Sequence, residues 1–173
     1  MALFSNIQID VESLPKSDQL VLVPISHTYF KIIILNCIIA YAVLIGALSI
    51  FNIFSEDYII NSLFWFLLGF LVVLFFISLG FGYLSFKKRK YAFREEDITS
   101  SQGYLVHKIV TLPYNRIQHI EITRTFIARK LGLSTLKIYS AGESGGDVAI
   151  KGLPKAVAEN QYAFLTKIIN ERL

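Results

Sequence analysis

Two long apolar stretches, joined by a short polar segment, constrain this 173-residue chain more than any other feature. The first covers residues 30–54 and the second residues 62–86, and Lys31 is the only charged residue in either. As a helix, each stretch would be roughly 37 Å long, which exceeds a hydrocarbon core of about 30 Å. Neither stretch carries the polar stripe of a helix that faces water. The sequence therefore predicts a two-helix transmembrane hairpin over residues 30–86.

A pair of buried helices in a soluble protein is the alternative explanation of the two stretches. The chain is too short to surround two such helices with protein, so we favour the membrane. Residues 87–173 are then the only segment large enough for a core of its own. Residues 1–29 form a cytoplasmic N-terminal lead-in, which either packs on the C-terminal domain or is a disordered tail. Within the helices Asn36 could form a hydrogen bond across the pair, but one Asn favours an anchor over a transporter.

The charges indicate the orientation of the hairpin. The segment between the two stretches carries Glu56 and Asp57 and no basic residue, whereas Lys87-Lys88-Arg89-Lys90 follows directly after the second stretch. Basic residues beside membrane segments mark the cytoplasmic side. We therefore predict that both termini are cytoplasmic. Cys37, the single cysteine, lies in the first stretch and cannot form an internal disulfide.

After residue 90 the pattern changes to short strands and turns, followed by one amphipathic helix. Ser100–Gly103 has the composition of a turn, and Tyr104–Leu112 that of a strand that ends at Pro113. The further predicted elements are strands at 116–123, 136–140 and 147–151, a loop at 142–146, a helix after Pro154, and a short strand at 20–23 before Pro24.

Three patterns suggest chemistry, and each has a simpler explanation. Gly142-x-Ser144-x-Gly146 matches the nucleophile elbow of serine hydrolases, but that mechanism needs a later histidine, and none follows His119. Glu95-Glu96-Asp97 are adjacent on an extended chain, so their carboxylates point alternately and do not converge on one metal ion. The histidines are not at a metal-ligand spacing. We expect no catalytic residue, no metal and no cofactor, and therefore no enzyme.

The basic residues are the remaining candidates for a site. Lys87–Lys90 lie where anionic headgroups are expected; they act as an orientation signal, with or without lipid contact. A second basic group consists of Arg116, Arg124, Arg129 and Lys130. It is a solvated face, a partner or lipid surface, or a nucleic-acid site. Nucleic acid is disfavoured because the aromatic residues are not interleaved with the basic ones. The candidate lipid- or partner-binding residues are Lys87, Lys88, Arg89, Lys90, Arg116, Arg129 and Lys130.

Three segments resemble a known family. Leu112–Ile120 (LPYNRIQHI) is similar to the "IPLxRIQxV" segment of bacterial membrane proteins with a pleckstrin-homology-like (PH-like) domain, the YdbS-like family. Residues 129–142 resemble its "RxLGLxxLxIxTAG" segment, with Ser140 where Thr is common, and Ile150–Leu153 resembles its "IxGL". Two upstream membrane helices also fit, and the resemblance covers roughly residues 20–173.

The resemblance implies an α+β fold in which a bent antiparallel sheet is capped by the C-terminal helix. It also implies a multi-pass protein of the bacterial inner membrane, and it supplies no catalytic motif. We therefore predict a non-enzymatic docking or assembly module at the cytoplasmic face. Its partner would be a second copy, as a homo-oligomer, or a related PH-domain membrane protein. The alternative is recognition of an anionic lipid or small ligand by the basic face of the domain.

Overall fold

The computed structural model describes residues 20–55, 58–140 and 147–172. Two long helices are followed by two antiparallel sheets and a C-terminal helix, which confirms the predicted helical hairpin and α+β domain. The elements are β1 (Val23–Pro24), α1 (Tyr29–Ile53), α2 (Tyr58–Lys87), β2 (Lys90–Phe93), β3 (Asp97–Gln102), β4 (Lys108–Pro113), a 3-10 helix (Tyr114–Arg116), β5 (Ile117–Thr123), α3 (Phe126–Lys130), β6 (Leu133–Ser140), β7 (Val148–Pro154) and α4 (Lys155–Arg172).

Helices α1 and α2 are each long and apolar enough to cross a membrane. In their most apolar windows only 6% and 0% of the residues are buried, so the described protein leaves their sides uncovered. The pair is joined by a hydrogen bond of 2.7 Å between the Tyr41 hydroxyl and Ser78 Oγ. Gly82 allows close approach, since a Cβ there would lie 2.9 Å from Ile33 Cγ2. Asn36, for which the sequence allowed a hydrogen bond across the pair, is exposed.

The first sheet has the strand order β1-β2-β3-β4, and its neighbouring strands are antiparallel. Strand β1 precedes the helix pair in the chain, yet it pairs with β2, which follows the pair: Val23 lies opposite Tyr91 and Pro24 opposite Lys90. The short strand that the sequence predicted before Pro24 is therefore present, shifted to Val23–Pro24. The helix pair is inserted between two neighbouring strands of one sheet.

The second sheet has the order β5-β6-β7, and α4 packs across it. The predicted strands near 116–123, 136–140 and 147–151 are confirmed as β5, β6 and β7. Apolar side chains of β6 and β7 alternate inward as expected, and α4 contributes fully buried residues to the same core. The fully buried core residues of this half are Leu136, Ile138, Leu153, Ala158 and Leu165.

The predicted turn at Ser100–Gly103 was wrong, and the strand predicted at Tyr104–Leu112 is confirmed only from Lys108 onward, as β4. Strand β3 continues to Gln102 and β4 begins only at Lys108, so Tyr104 lies in the turn between them. Hydroxyl side chains are typical of turns, but Ser100 and Ser101 are buried inside the sheet, and Oγ1 of the neighbouring Thr99 lies 3.0 Å from Thr111 Oγ1 on β4. That pairing with a strand further along the chain is not visible in the local pattern.

Candidate functional site

Both connections to the helix pair leave the first sheet at the same end. Strand β1 ends at Pro24 and α1 begins at Tyr29, while α2 ends at Lys87 and β2 begins at Lys90. Pro24 and Lys90 are directly opposite each other in the sheet. We call the end of the domain that carries this pair the helix-proximal end. It is the natural place to look for a site, because it is held next to whatever surrounds the helices.

The base of the helix pair is packed into the core of the domain. Ile25, which follows β1, and Phe86, in the last turn of α2, are buried in the main core cluster. The Phe30 ring lies 5.7 Å from that of Phe86, between ring centroids. On the second sheet, the Ser26 N–H donates to the Gly152 carbonyl at 3.1 Å. The two helices are therefore joined to the sheets by side-chain packing and a backbone hydrogen bond, in addition to the covalent chain.

Gly152 of β7 permits the closest of these contacts. Its φ is +78°, a conformation that favours glycine, and a Cβ at this position would lie 2.7 Å from Cβ of Tyr29. Tyr29 is the first residue of α1. A side chain at position 152 would therefore collide with Cβ of Tyr29. This atom is bonded directly to the backbone, so no change of side-chain rotamer moves it away. The start of α1 sits where it does because residue 152 has no side chain.

The predicted basic cluster at the end of α2 divides into two kinds of residue. Lys87, Lys88 and Lys90 are exposed. Arg89 is partly buried, and its Nη1 donates to the Tyr29 hydroxyl at 3.1 Å. Arg89 thus ties the end of α2 to the start of α1, while Lys87 Nζ lies 4.6 Å from the centroid of the Tyr83 ring.

Helix α3, which the sequence pattern did not reveal, brings Arg129 and Lys130 to the same region. Buried Ala128 packs with Ile32 in the first turn of α1. Arg129 and Lys130 are exposed. Arg129 Cζ lies 6.0 Å and Lys130 Nζ 5.2 Å from the centroid of the Phe126 ring, and Phe126 is itself 65% exposed. The signal that could have shown this helix is Thr125, whose Oγ1 accepts the Ala128 N–H at 3.4 Å as an N-cap.

The structure does not bring Arg116 together with the other six predicted residues. Arg116 is the last residue of the 3-10 helix that follows β4. The last residue of β4, Pro113, pairs with Asp97 at the start of β3. Ser101, which pairs with Lys90, is four residues further along that strand, roughly 14 Å at about 3.4 Å per residue. Arg116 is therefore exposed at the opposite end of the first sheet.

Arg124, the remaining member of the second basic group, is engaged within the fold. Its Nη2 donates to Glu159 Oε1 of α4 at 2.7 Å, and its Nε donates to the buried Ser134 Oγ at 2.8 Å. These contacts join the segment before α3 to β6 and α4. The arginine therefore has a structural explanation that the sequence alone did not supply.

The Gly-Ser-Gly loop lies outside the described residues, and the acidic run lies away from the helix-proximal end. The Gly142–Gly146 loop, with Ser144, belongs to the undescribed part. Glu95 lies in the exposed turn between β2 and β3, where Arg94 Nε donates to Asp97 Oδ1 at 2.7 Å. Within residues 20–55, 58–140 and 147–172, no group of three or more His, Cys, Asp or Glu side chains could hold a metal ion.

Two antiparallel sheets closed by a C-terminal helix define a PH-like α+β domain, here with a helix pair inserted between two of its strands. The family described as Bacterial PH domain matches residues 20–172, and the chain belongs to this family. The resemblance noted in the sequence is thereby confirmed as far as the PH-like domain. No curated protein and no solved structure matches the chain significantly.

Proposed function

We propose that this chain is a multi-pass protein of the bacterial inner membrane, of the YdbS-like kind, that presents its PH-like domain at the cytoplasmic face as a docking and assembly module. The uncovered apolar sides of α1 and α2 support the membrane assignment. The acidic segment between the helices and the lysines after α2 support the cytoplasmic orientation. The domain works as a binding module and not as an enzyme.

The packed joint between helices and domain is the observation that carries this proposal. A flexible linker would let a domain sample many orientations, whereas Ile25 and Phe86 are buried in the domain core and Arg89 bonds to Tyr29. The domain is therefore held in one orientation relative to the helix pair. Such preorganisation reduces the entropy lost when a partner in the same membrane binds.

The outer edge of the first sheet offers a specific docking surface. Among the described strands β4 pairs only with β3, which leaves its other edge available. An open edge strand can accept a strand from another chain through main-chain hydrogen bonds. Ile109 on β4 is 48% exposed and would contribute an apolar contact. The partner we propose is a second copy of this chain or a related PH-domain membrane protein.

Replacing Ile109 with lysine tests this docking surface. A charge on an edge strand opposes edge-to-edge pairing, so the Ile109→Lys variant should lose the partner that the wild-type chain retains. The measurement is native mass spectrometry of the full-length protein extracted from membranes in mild detergent. Val21→Lys is the matched control, because Val21 is also apolar and 88% exposed but does not lie on β4. A wild-type protein that is strictly monomeric with no retained protein would refute the proposal.

Anionic lipid recognition is a second candidate function, favoured by one specific observation. Two groups that are distant in the sequence, the lysines after α2 and the basic residues of α3, both lie exposed beside the base of α1 or α2. Each basic residue near an anionic leaflet contributes about 1 kcal/mol. The exposed members are Lys87, Lys88, Lys90, Arg129 and Lys130.

The double variant Arg129→Ala/Lys130→Ala tests this second function. At about 1 kcal/mol per residue, it should weaken retention of phosphatidylglycerol by roughly tenfold or more in nanodiscs of mixed phosphatidylcholine and phosphatidylglycerol. Native mass spectrometry of the retained lipids is the measurement. The full chain is required, since Ile25 and Tyr29 are part of the domain's packing. Arg116→Ala is the control. Unchanged lipid retention, or an equal loss with Arg116→Ala, would argue against this function.

A further inference from the structure

The turn between β3 and β4 exposes three consecutive apolar residues. Tyr104, Leu105 and Val106 are 43%, 80% and 81% exposed. Single exposed apolar residues are ordinary, but a contiguous group at the tip of a turn indicates a contact with something else.

The turn lies at the helix-proximal end of the domain. Ser101 pairs with Lys90, the first residue of β2, and Gln102 pairs with Lys108, the first of β4. The chain between Gln102 and Lys108 therefore projects beyond the level of Lys90, on the side from which both helices leave. Adjacent strands are about 4.8 Å apart, so the turn begins within roughly one or two strand spacings of the end of α2.

The shape of the turn is fixed by contacts at its base. Gly103 has a φ of +92°, and a Cβ at this position would overlap the carbonyl oxygen of Val106. Ser101 Oγ lies within 2.8 Å of His107 Nε2, which closes the turn across its two ends. The three apolar side chains are thus held outward by a folded scaffold. Because the turn is already ordered, it loses little conformational entropy when it makes a contact.

We propose that Tyr104–Val106 enters the headgroup region of the leaflet next to the domain and makes a second contact with the bilayer. This rests on the proposed membrane insertion of α1 and α2. The position of the turn is continuous with the base of those helices. Lys90 and Lys108 stand at its base and match an anionic surface. Tyrosine favours the membrane–water interface, and apolar residues rimmed by lysines are typical of interfacial segments.

A bilayer fits this turn better than a soluble protein partner does. A stable protein interface buries about 800 Å² on each side, and three side chains at the tip of a turn provide much less. A small apolar contact can suffice where the other surface is already adjacent, because tethering raises the effective concentration. The helix pair supplies that tether. The turn would fix the tilt of the domain on the membrane and so the direction in which the β4 edge faces.

Site-specific fluorescence on the full chain in vesicles tests the proposal. In a Cys37→Ala background, Leu105→Cys is labelled with the environment-sensitive dye NBD and reconstituted into phosphatidylcholine–phosphatidylglycerol vesicles with or without spin-labelled lipid. Glu95→Cys, in the exposed turn at the opposite end of the sheet, is the control for water. Phe70→Cys, which is 53% exposed on α2, is the control for the membrane interior. We expect a blue-shifted emission and at least twofold quenching by spin-labelled lipid at positions 105 and 70, and neither at 95.

The controls separate failure of this inference from failure of the proposed function. Quenching at 70 without quenching at 105 would overturn the inference and leave membrane insertion intact, while absence of quenching at both positions would overturn both. A blue shift at 105 without quenching by lipid would also overturn it, since the turn would then contact protein. In a further variant, Val106→Asp should reduce quenching at 105 severalfold and leave quenching at 70 unchanged.

Discussion

Replacing Gly152 with alanine is expected to lower the free energy of unfolding of the PH-like domain by roughly 2–5 kcal/mol. The left-handed φ of +78° costs about 1–2 kcal/mol for a residue with a Cβ. The added methyl group also collides with Cβ of Tyr29, and overpacking typically costs about 1–3 kcal/mol. Because Tyr29 begins α1, relief of the collision requires the helix pair to shift from the second sheet. The measurement is amide hydrogen exchange of β6 and β7 in the full-length protein reconstituted in nanodiscs.

Gly132 provides the matched control for this prediction. Its φ is +67°, but a Cβ there would meet no atom within 4 Å. Gly132→Ala should therefore cost only the backbone part, about 1–2 kcal/mol. The variant at Gly152 should also increase exchange at Ser26, whose N–H bonds to residue 152, and the variant at Gly132 should not. Equal effects of the two substitutions would mean that α1 is not packed tightly on β7.

Replacing Leu165 with alanine is the second substitution with a large expected effect. Leu165 lies on α4, is fully buried, and belongs to the core that both sheets share. Removing a buried leucine side chain typically costs about 2–5 kcal/mol, because both transfer energy and packing contacts are lost. Hydrogen exchange of β6 amides should report this loss. The 65% exposed Phe126 and other surface residues give no comparable contribution.

Leu105→Ala is the control for Leu165→Ala, because it removes the same atoms from a residue that is 80% exposed. In detergent, with no bilayer to contact, it should change the unfolding free energy by less than about 0.5 kcal/mol. If Leu165→Ala were equally mild, α4 would not be an essential part of the core. The pair of variants therefore distinguishes a helix that closes the sheets from one that merely lies on them.

Insertion of the helix pair between β1 and β2 has a consequence for function. The two chain segments that enter and leave the helices are neighbours in one sheet, with Pro24 opposite Lys90. A displacement of either helix would be transmitted directly to that sheet. The proposed docking edge at β4 is only two strands away from β2. A partner bound there would be positioned relative to the membrane by the sheet itself.

Local sequence patterns predicted most of the elements. Unbroken apolar runs gave the two helices, and alternation gave β5, β6 and β7. The amphipathic spacing after Pro154 gave α4, in which Leu165 is fully buried. These predictions succeed because each element is specified by residues within a few positions of one another. Helix α3 was not predicted, because its five residues are too few to show a helical periodicity.

The sequence by itself determined that the chain has a helical hairpin, a set of strands and a capping helix. Only the tertiary structure decided which of them meet. The β1–β2 pair joins Val23 to Tyr91 across the whole hairpin, and the packing of Ala128 on Ile32 brings two basic groups to one end. The pairing of β3 with β4 places Tyr104–Val106 in an exposed turn and not in the predicted strand. Such contacts depend on shape and burial between distant segments, which no local pattern of residues encodes.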